Sequence, residues 1–335
     1  MPSASRLIFA LVVTIIPLLP SRADFTMEVK AALDKAVASG QSAVVGADEN
    51  WRFLTNELKH LALGDLAGQD LSKTNVEGTD PAAEIVRYAQ ELKTLGVELI
   101  VVPVPPKAAI YPDKFAAGLF PDCVTPLTAF LDSLKAQGVH TVDLDAHFRA
   151  ARAEQSDRQL FCATDSHWSP YGAQLAAQLV AEEVKHVEGL KLTGGEGLSL
   201  AAPVPLEFHG DLLTDTEKAT VPKETLPVVR VEGAATGEAA VLVLGDSHCQ
   251  VFRKGGSMLT TGAGFIDHLS QQLAAPVDEM STQASGGEGP RIEIARRTVK
   301  DPGYWQQRKV AIWLFTAREL TQGRWKKIPA LVQKK

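Results

Sequence analysis

Val97-Glu98-Leu99-Ile100-Val101-Val102-Pro103-Val104 is the stretch that decides the fold. A strand with one wet face alternates apolar and polar residues. This one is apolar almost throughout, as in a parallel strand covered on both faces. What precedes it is helical: Asp80 can cap, Pro81 suits the first helical position, and Ile85, Tyr88, Leu92 and Leu95 share one face before Gly96 closes the turn. The same alternation continues downstream. A helix is predicted from about Pro126 to Ala136, closed by Gly138, then a strand around His140 to Leu144. Another short strand is predicted before Asp165, and Ser169-Pro170 opens a helix running to about Lys185. The sheet resumes at Ala239 to Leu244, a helix is expected after Ser247, and Val310-Ala311-Ile312-Trp313-Leu314-Phe315 is a last buried strand. Helices alternating with apolar strands predict an α/β fold, a parallel sheet with helices on both faces. In such folds chemistry gathers at the carboxyl ends of the strands.

Three segments stand outside this alternation. Residues 24–80 read as a lead-in, with helical spacing from Phe25 to Ala38 and a turn plus short strand from Gly46 to Leu54. Residues 190–235, rich in Gly, Pro and Thr, read as an insertion or a small accessory hairpin region near the site. Ser281 to Pro290 is a glycine-rich loop.

The chain of 335 residues, 45% hydrophobic, is long enough for a full core. Arg6, the apolar run Leu7 to Pro20 and Ser21-Arg22-Ala23 have the order of a secretory leader; an uncleaved anchor is the rival reading. Both imply export, to the periplasm, the envelope or the outside. The domain proper is then 24–335. Removing residues 1–23 takes away Arg6 and Arg22 and no acid, so the formal charge moves from -6 to -8. An acidic chain of this kind is no nucleic-acid binder on global electrostatics. Cys123, Cys162 and Cys249 allow one disulfide and one free thiol in an oxidising compartment. Cys249 reads as a small packing residue, and metal spacing of the Cys-x-x-Cys kind is absent.

Two motifs carry chemistry. Ala163-Thr164-Asp165-Ser166-His167-Trp168-Ser169-Pro170-Tyr171-Gly172 offers a carboxylate and an imidazole two residues apart, which in an extended segment point to the same side. Val241-Leu242-Val243-Leu244-Gly245-Asp246-Ser247 offers a serine where a buried strand runs out. Together they supply nucleophile (Ser247), base (His167) and base-orienter (Asp165) for acyl transfer. The plainer alternatives are a helix cap at Asp246 or Ser247 and a turn aspartate beside a half-buried histidine. His248 reads as turned away from the nucleophile, and Asp267-His268 as a solvated loop pair.

Asp-x-His-Trp before a Pro-x-Gly helix start, with Gly-Asp-Ser downstream, resembles the SGNH-hydrolase-like domain of the alginate O-acetyltransferase (AlgJ/AlgX) family. Val101 to Pro112, Gly46 to Leu54, Gly286-Gly287-Glu288-Gly289-Pro290-Arg291 and Phe315 to Trp325 resemble further segments of that family. The likeness covers most of residues 45–325. It implies an SGNH-hydrolase-like, flavodoxin-like sheet and an acetyl-Ser247 intermediate. It also implies a polysaccharide acceptor, an acetyl donor delivered by a membrane-bound O-acyltransferase, and no metal or bound cofactor. On the same basis Gly286 or Gly287 is expected to donate a backbone N–H to the oxyanion. Arg291 is expected to bind a sugar carboxylate or orient the site, and Tyr111 and Arg318 are further candidates. Two departures mark this chain: His248-Cys249 follows Gly-Asp-Ser where an aromatic is common, and no terminal carbohydrate-binding module is visible. An esterase, with water as the acceptor, and a noncatalytic polysaccharide-binding protein are the rival functions.

Overall fold

The computed structural model describes residues 20–75, 77–155 and 157–331. Its centre is a five-stranded sheet in which every neighbouring pair is parallel. Across the sheet lie Val277–Ser281, Val241–Gly245, Val310–Thr316, Glu98–Val104 and His140–Thr141. Counted from the strand that leads into Ser247 and continuing through the chain ends, this is the order 2-1-3-4-5 of flavodoxin-like sheets. The chain therefore runs through that layout from a shifted starting point, and the Asp-x-His segment precedes the serine.

The three central strands are apolar almost throughout because both their faces are covered. Ile100, Val102, Val104, Val241, Val243, Ile312 and Leu314 join one core. Leu99, Val101, Leu242, Leu244, Ala311, Trp313 and Phe315 join the other. Burying a side chain of this size contributes roughly 1.5–3 kcal/mol. On the second face lies helix Pro81–Thr94, capped by Asp80, whose carboxylate accepts from the Ala82 N–H, and burying Ile85, Tyr88 and Leu92. On the first face helix Pro170–Lys185 is capped by Ser169 and presents Ala173, Ala176, Ala177 and Val180. That strip of small residues packs against helix Phe265–Leu273.

Several expectations are corrected. The segment before Asp165 is no sheet strand; Phe161 and Trp168 form one isolated antiparallel bridge around a bent loop. Ser247 is followed by a single 3-10 turn, Ser247–Cys249, and then by a hairpin through Gly255-Gly256. The long helix starts only at Phe265. The strand expected over His140–Leu144 is only His140–Thr141, because Asp143 caps helix Leu144–Glu154 and ends it early. Asp267 and His268 lie on helix Phe265–Leu273, with His268 buried and Asp267 accepting from the Gly264 N–H and pairing with Arg253. All three cysteines are free and buried, so the expected disulfide is not formed.

Residues 1–19, which hold most of the expected leader or anchor, lie outside the described residues. Ser21, read there as part of a cleavage site, caps helix Arg22–Ser39 through a reciprocal pair with Asp24. Among the described residues no helix is long and apolar enough to cross a membrane. Within residues 190–235, Val204–Phe208 pairs with Glu224–Val228 and Ser199–Leu200 with Val231–Glu232.

Candidate active site

Strand Val241–Gly245 ends in Asp246, and Ser247 emerges partly exposed at the carboxyl edge of the sheet. Asp246 holds this turn. One carboxylate oxygen accepts from the His248 N–H (2.9 Å) and Nδ1 (3.2 Å), the other from the Thr316 N–H of the neighbouring central strand (2.8 Å). Burial works against its charge, but His248, these N–H donors and Arg318 keep the Asp246 carboxyl well below the usual range.

The Asp165–His167 pair is made by an aspartate turn, not by the extended segment expected from the sequence. Asp165 Oδ1 accepts from the His167 main-chain N–H (3.1 Å) and from its Nδ1–H (2.6 Å). His167 Nε2 stands 2.8 Å from Ser247 Oγ. Asp165 thus selects the imidazole tautomer whose free lone pair faces the serine hydroxyl, the arrangement a general base requires. Both groups are buried, at 3% and 6% exposure. Burial disfavours charge on Asp165, but hydrogen bonds and the facing imidazole bring its pKa down to about 2. Burial alone would lower the His167 pKa, but the Asp165 hydrogen bond and the charges of Asp165, Asp211 and Asp246 raise it.

Residues not singled out from the sequence set this pair in place. Lys107, with no exposed surface, donates from Nζ to the carbonyls of Arg52 (2.8 Å), Cys162 (2.8 Å), Ala163 (3.3 Å) and Asp165 (2.6 Å). Burial lowers its pKa; the four carbonyls favour the ammonium form. The signal for it was a single lysine inside the otherwise apolar run Val101–Ile110. Buried Glu57 accepts from the Lys107 N–H (3.1 Å) and stands 3.5 Å from Arg318. The hairpin region closes the other side. Glu224 accepts from the Ala163 and Thr164 N–H groups (2.8 and 3.2 Å), and Asp211 donates its N–H to Asp165 Oδ2 (3.0 Å). At Gly210 a Cβ would lie 2.2 Å from the Thr164 carbonyl, so only glycine lets this strap approach. Nothing in local sequence pattern marks Asp211 or Glu224, because their partners lie 46 and 60 or more residues away.

The remaining expected residues divide. Among the described residues the Ser247 and Gly286 main-chain N–H groups have no acceptor, whereas the Gly287 N–H is engaged by Glu319 Oε2 at 3.3 Å. Gly286 packs tightly on Phe315 and Asp246: a Cβ there would lie 2.7 Å from Phe315 Cβ. Arg318 is largely covered but its charge acts on Asp246, His248 and Glu319, which places it beside the nucleophile turn. Arg291 is corrected to a core residue. It has no exposed surface, pairs with Glu84, donates to the Gly287 carbonyl (2.8 Å) and lies over the Trp313 ring. No sugar reaches it. Tyr111 is likewise internal, its hydroxyl accepting from the Leu160 N–H (2.9 Å) and its ring lying against Trp51. His248, expected to turn away from Ser247, is buried with its ring 4.9 Å from that of His167. Asp165, His167 and Asp211 are close enough to bracket a metal ion, but both His167 ring nitrogens are committed to Asp165 and Ser247.

This fold and this clustering at the sheet's carboxyl edge define an SGNH-hydrolase-like α/β domain. The comparison with known proteins agrees: the chain belongs to the family described as SGNH hydrolase-like domain, acetyltransferase AlgX, whose model matches residues 44–317. It is 25% identical over 313 residues to the probable alginate O-acetylase AlgJ of Pseudomonas aeruginosa, covering 87% of this chain and 74% of that protein. To the AlgJ of Pseudomonas fluorescens it is 27% identical over 307 residues, covering 87% and 72%. The solved O-acetyltransferase domain of Pseudomonas putida AlgJ superposes with a TM-score of 0.62 at 22% identity, covering 84% of this chain and 92% of that one.

Proposed function

We propose that this chain is an exported O-acetyltransferase that places acetyl groups on hydroxyls of a polysaccharide through an acetyl-Ser247 intermediate. The observation that carries the reading is the continuous hydrogen-bonded series Asp165–His167–Ser247 in a member of an acetyltransferase family. As Ser247 Oγ attacks the acetyl carbonyl, His167 Nε2 takes its proton. The carbonyl oxygen becomes an oxyanion facing the Ser247 and Gly286 N–H groups. Collapse expels the donor's leaving group, which takes the proton from His167, and acetyl-Ser247 remains. A sugar hydroxyl then gives its proton to His167 and attacks the ester; Ser247 leaves and is reprotonated. Asp165 stays ionised and stabilises the imidazolium in both halves.

The name of the AlgJ relatives supports a polysaccharide acceptor. The basic and apolar N-terminal residues support export to the periplasm, with residues 1–23 as a leader or anchor. In that compartment acetyl has to arrive across the membrane, and a membrane-bound O-acyltransferase is the proposed source. The test is incubation of wild type and Ser247→Ala with an activated acetyl ester and a hydroxyl-rich polysaccharide, followed by NMR of the polymer. O-acetyl sugar is expected from wild type alone. Acetate without acetylated polymer makes the chain an esterase; neither product from a folded protein leaves a binding role.

A further inference from the structure

The Asp165–His167 turn is flanked by a third titratable group that the acyl-transfer scheme above does not use. Asp211 comes from the strap between Val204–Phe208 and Glu224–Val228. Its carboxylate straddles Ser166, the residue between the acid and the base: one oxygen accepts from the Ser166 N–H (2.6 Å), the other from Ser166 Oγ (2.7 Å). Its own N–H fixes the second oxygen of Asp165 (3.0 Å). Ligand atoms of Asp211, Asp165 and His167 all lie within 4.8 Å of one another. Leu212 N–H donates to the Thr164 carbonyl and Gly210 N–H to Thr164 Oγ1, so the strap follows the turn residue by residue.

Resting on the reading of His167 as the base, we propose that Asp211 is a positioning residue. It clasps the Asp165-Ser166-His167 turn from outside and adds a further negative charge to stabilise the imidazolium. The other groups facing His167 are Asp165 on its own loop, Asp246 and His248 on the nucleophile turn, and Glu57 behind Lys107. Asp165, Asp246 and Glu57 are buried, whereas Asp211 is exposed. Asp211 is therefore the carboxylate in this set whose influence salt can screen.

The test is a long-range proton–nitrogen NMR titration of the His167 ring in the full chain, wild type and Asp211→Asn, beside the pH profile of acetyl-ester turnover. Asparagine keeps the acceptor for the Ser166 N–H and the main-chain donor to Asp165, and its amide N–H can donate to Ser166 Oγ where the carboxylate accepted from it, while the charge is lost. The His167 midpoint is expected to fall by roughly 0.5–1 pH unit, the low end for a carboxylate this near because Asp211 is exposed. The acid limb of turnover should move down with it. High salt should bring the wild-type midpoint toward that of the variant and leave the variant nearly unmoved. Identical midpoints, or equal salt shifts in both proteins, overturn the proposal. A shifted midpoint with no Ser247-dependent turnover in either protein upholds the role of Asp211 and sinks the acyl-transfer reading instead.

Discussion

Asp165→Asn keeps the size of the side chain but permits the wrong imidazole tautomer. Turnover of an acetyl ester is expected to fall by about 10³–10⁴-fold, comparable with loss of an orienting carboxylate elsewhere. Wild-type turnover should have an acid limb lying above pH 6.5, because Asp165, Asp211 and Asp246 raise the His167 pKa over the cost of burial. As pH falls through that raised value, His167 takes up a proton and no longer accepts one from Ser247. A limb below 6.5 would contradict it. Arg291 belongs to a different category of residue. Its ion pair with Glu84 is fully buried, so Glu84→Ala strands a cation in the core and should cost about 3–5 kcal/mol in a denaturant titration. The resemblance marked Arg291 as binding a sugar carboxylate or orienting the site; its burial speaks against the first, and it holds the glycine loop by the Gly287 carbonyl from behind.

At the scale of elements, the glycine loop and the segment after the last strand act as one unit. The Glu319 pKa is pushed up to about 7, first by burial and then by Asp246, although Arg318 and the Gly287 N–H oppose this. A carboxyl whose folded pKa lies above its unfolded value of 4.5 binds its proton more tightly when folded. Stability from this group is therefore complete below pH 4.5 and declines as pH rises toward 7. Glu319→Gln should flatten that decline in thermal midpoints measured from pH 5 to 7; an unchanged slope would assign it elsewhere. Which elements were legible follows from their burial. Strands Glu98–Val104, Val241–Gly245 and Val310–Thr316 are covered on both faces and read as continuous apolar runs. The edge strand Val277–Ser281 is half-buried along its length, and Asp278 and Glu279 break any such run. The Gly-Pro-Thr composition of 190–235 marked an irregular segment, but not that Asp211 and Glu224 grip the acid–base turn. Those contacts exist only once distant residues are brought together.

On the scale of the whole molecule, the shifted chain order explains why an Asp-x-His motif precedes its serine. The two halves of the site come from opposite flanks of the central strand Val310–Thr316, and both are held from below. Thr316 N–H holds Asp246, while Lys107, just beyond Glu98–Val104, gathers the carbonyls around Asp165. The site is thus a property of the sheet's edge and of one buried ammonium group. Covalent cross-links have no part in it, because the cysteines are free; the thermal midpoint of the oxygen-exposed protein should not change on adding a reducing agent. A lower midpoint under reduction would restore the disulfide expected from export. The proposed reaction stands on Ser247 carrying the acetyl group. It is tested most directly by quenching wild type, Ser247→Ala and His167→Ala during reaction with an activated acetyl ester, then mapping the acetylated peptide by mass spectrometry. Acetyl is expected on Ser247 in wild type, with discharge on adding polysaccharide, and no acetyl at this position in either variant. Acetyl found on another residue, or equal labelling in all three proteins, would contradict it.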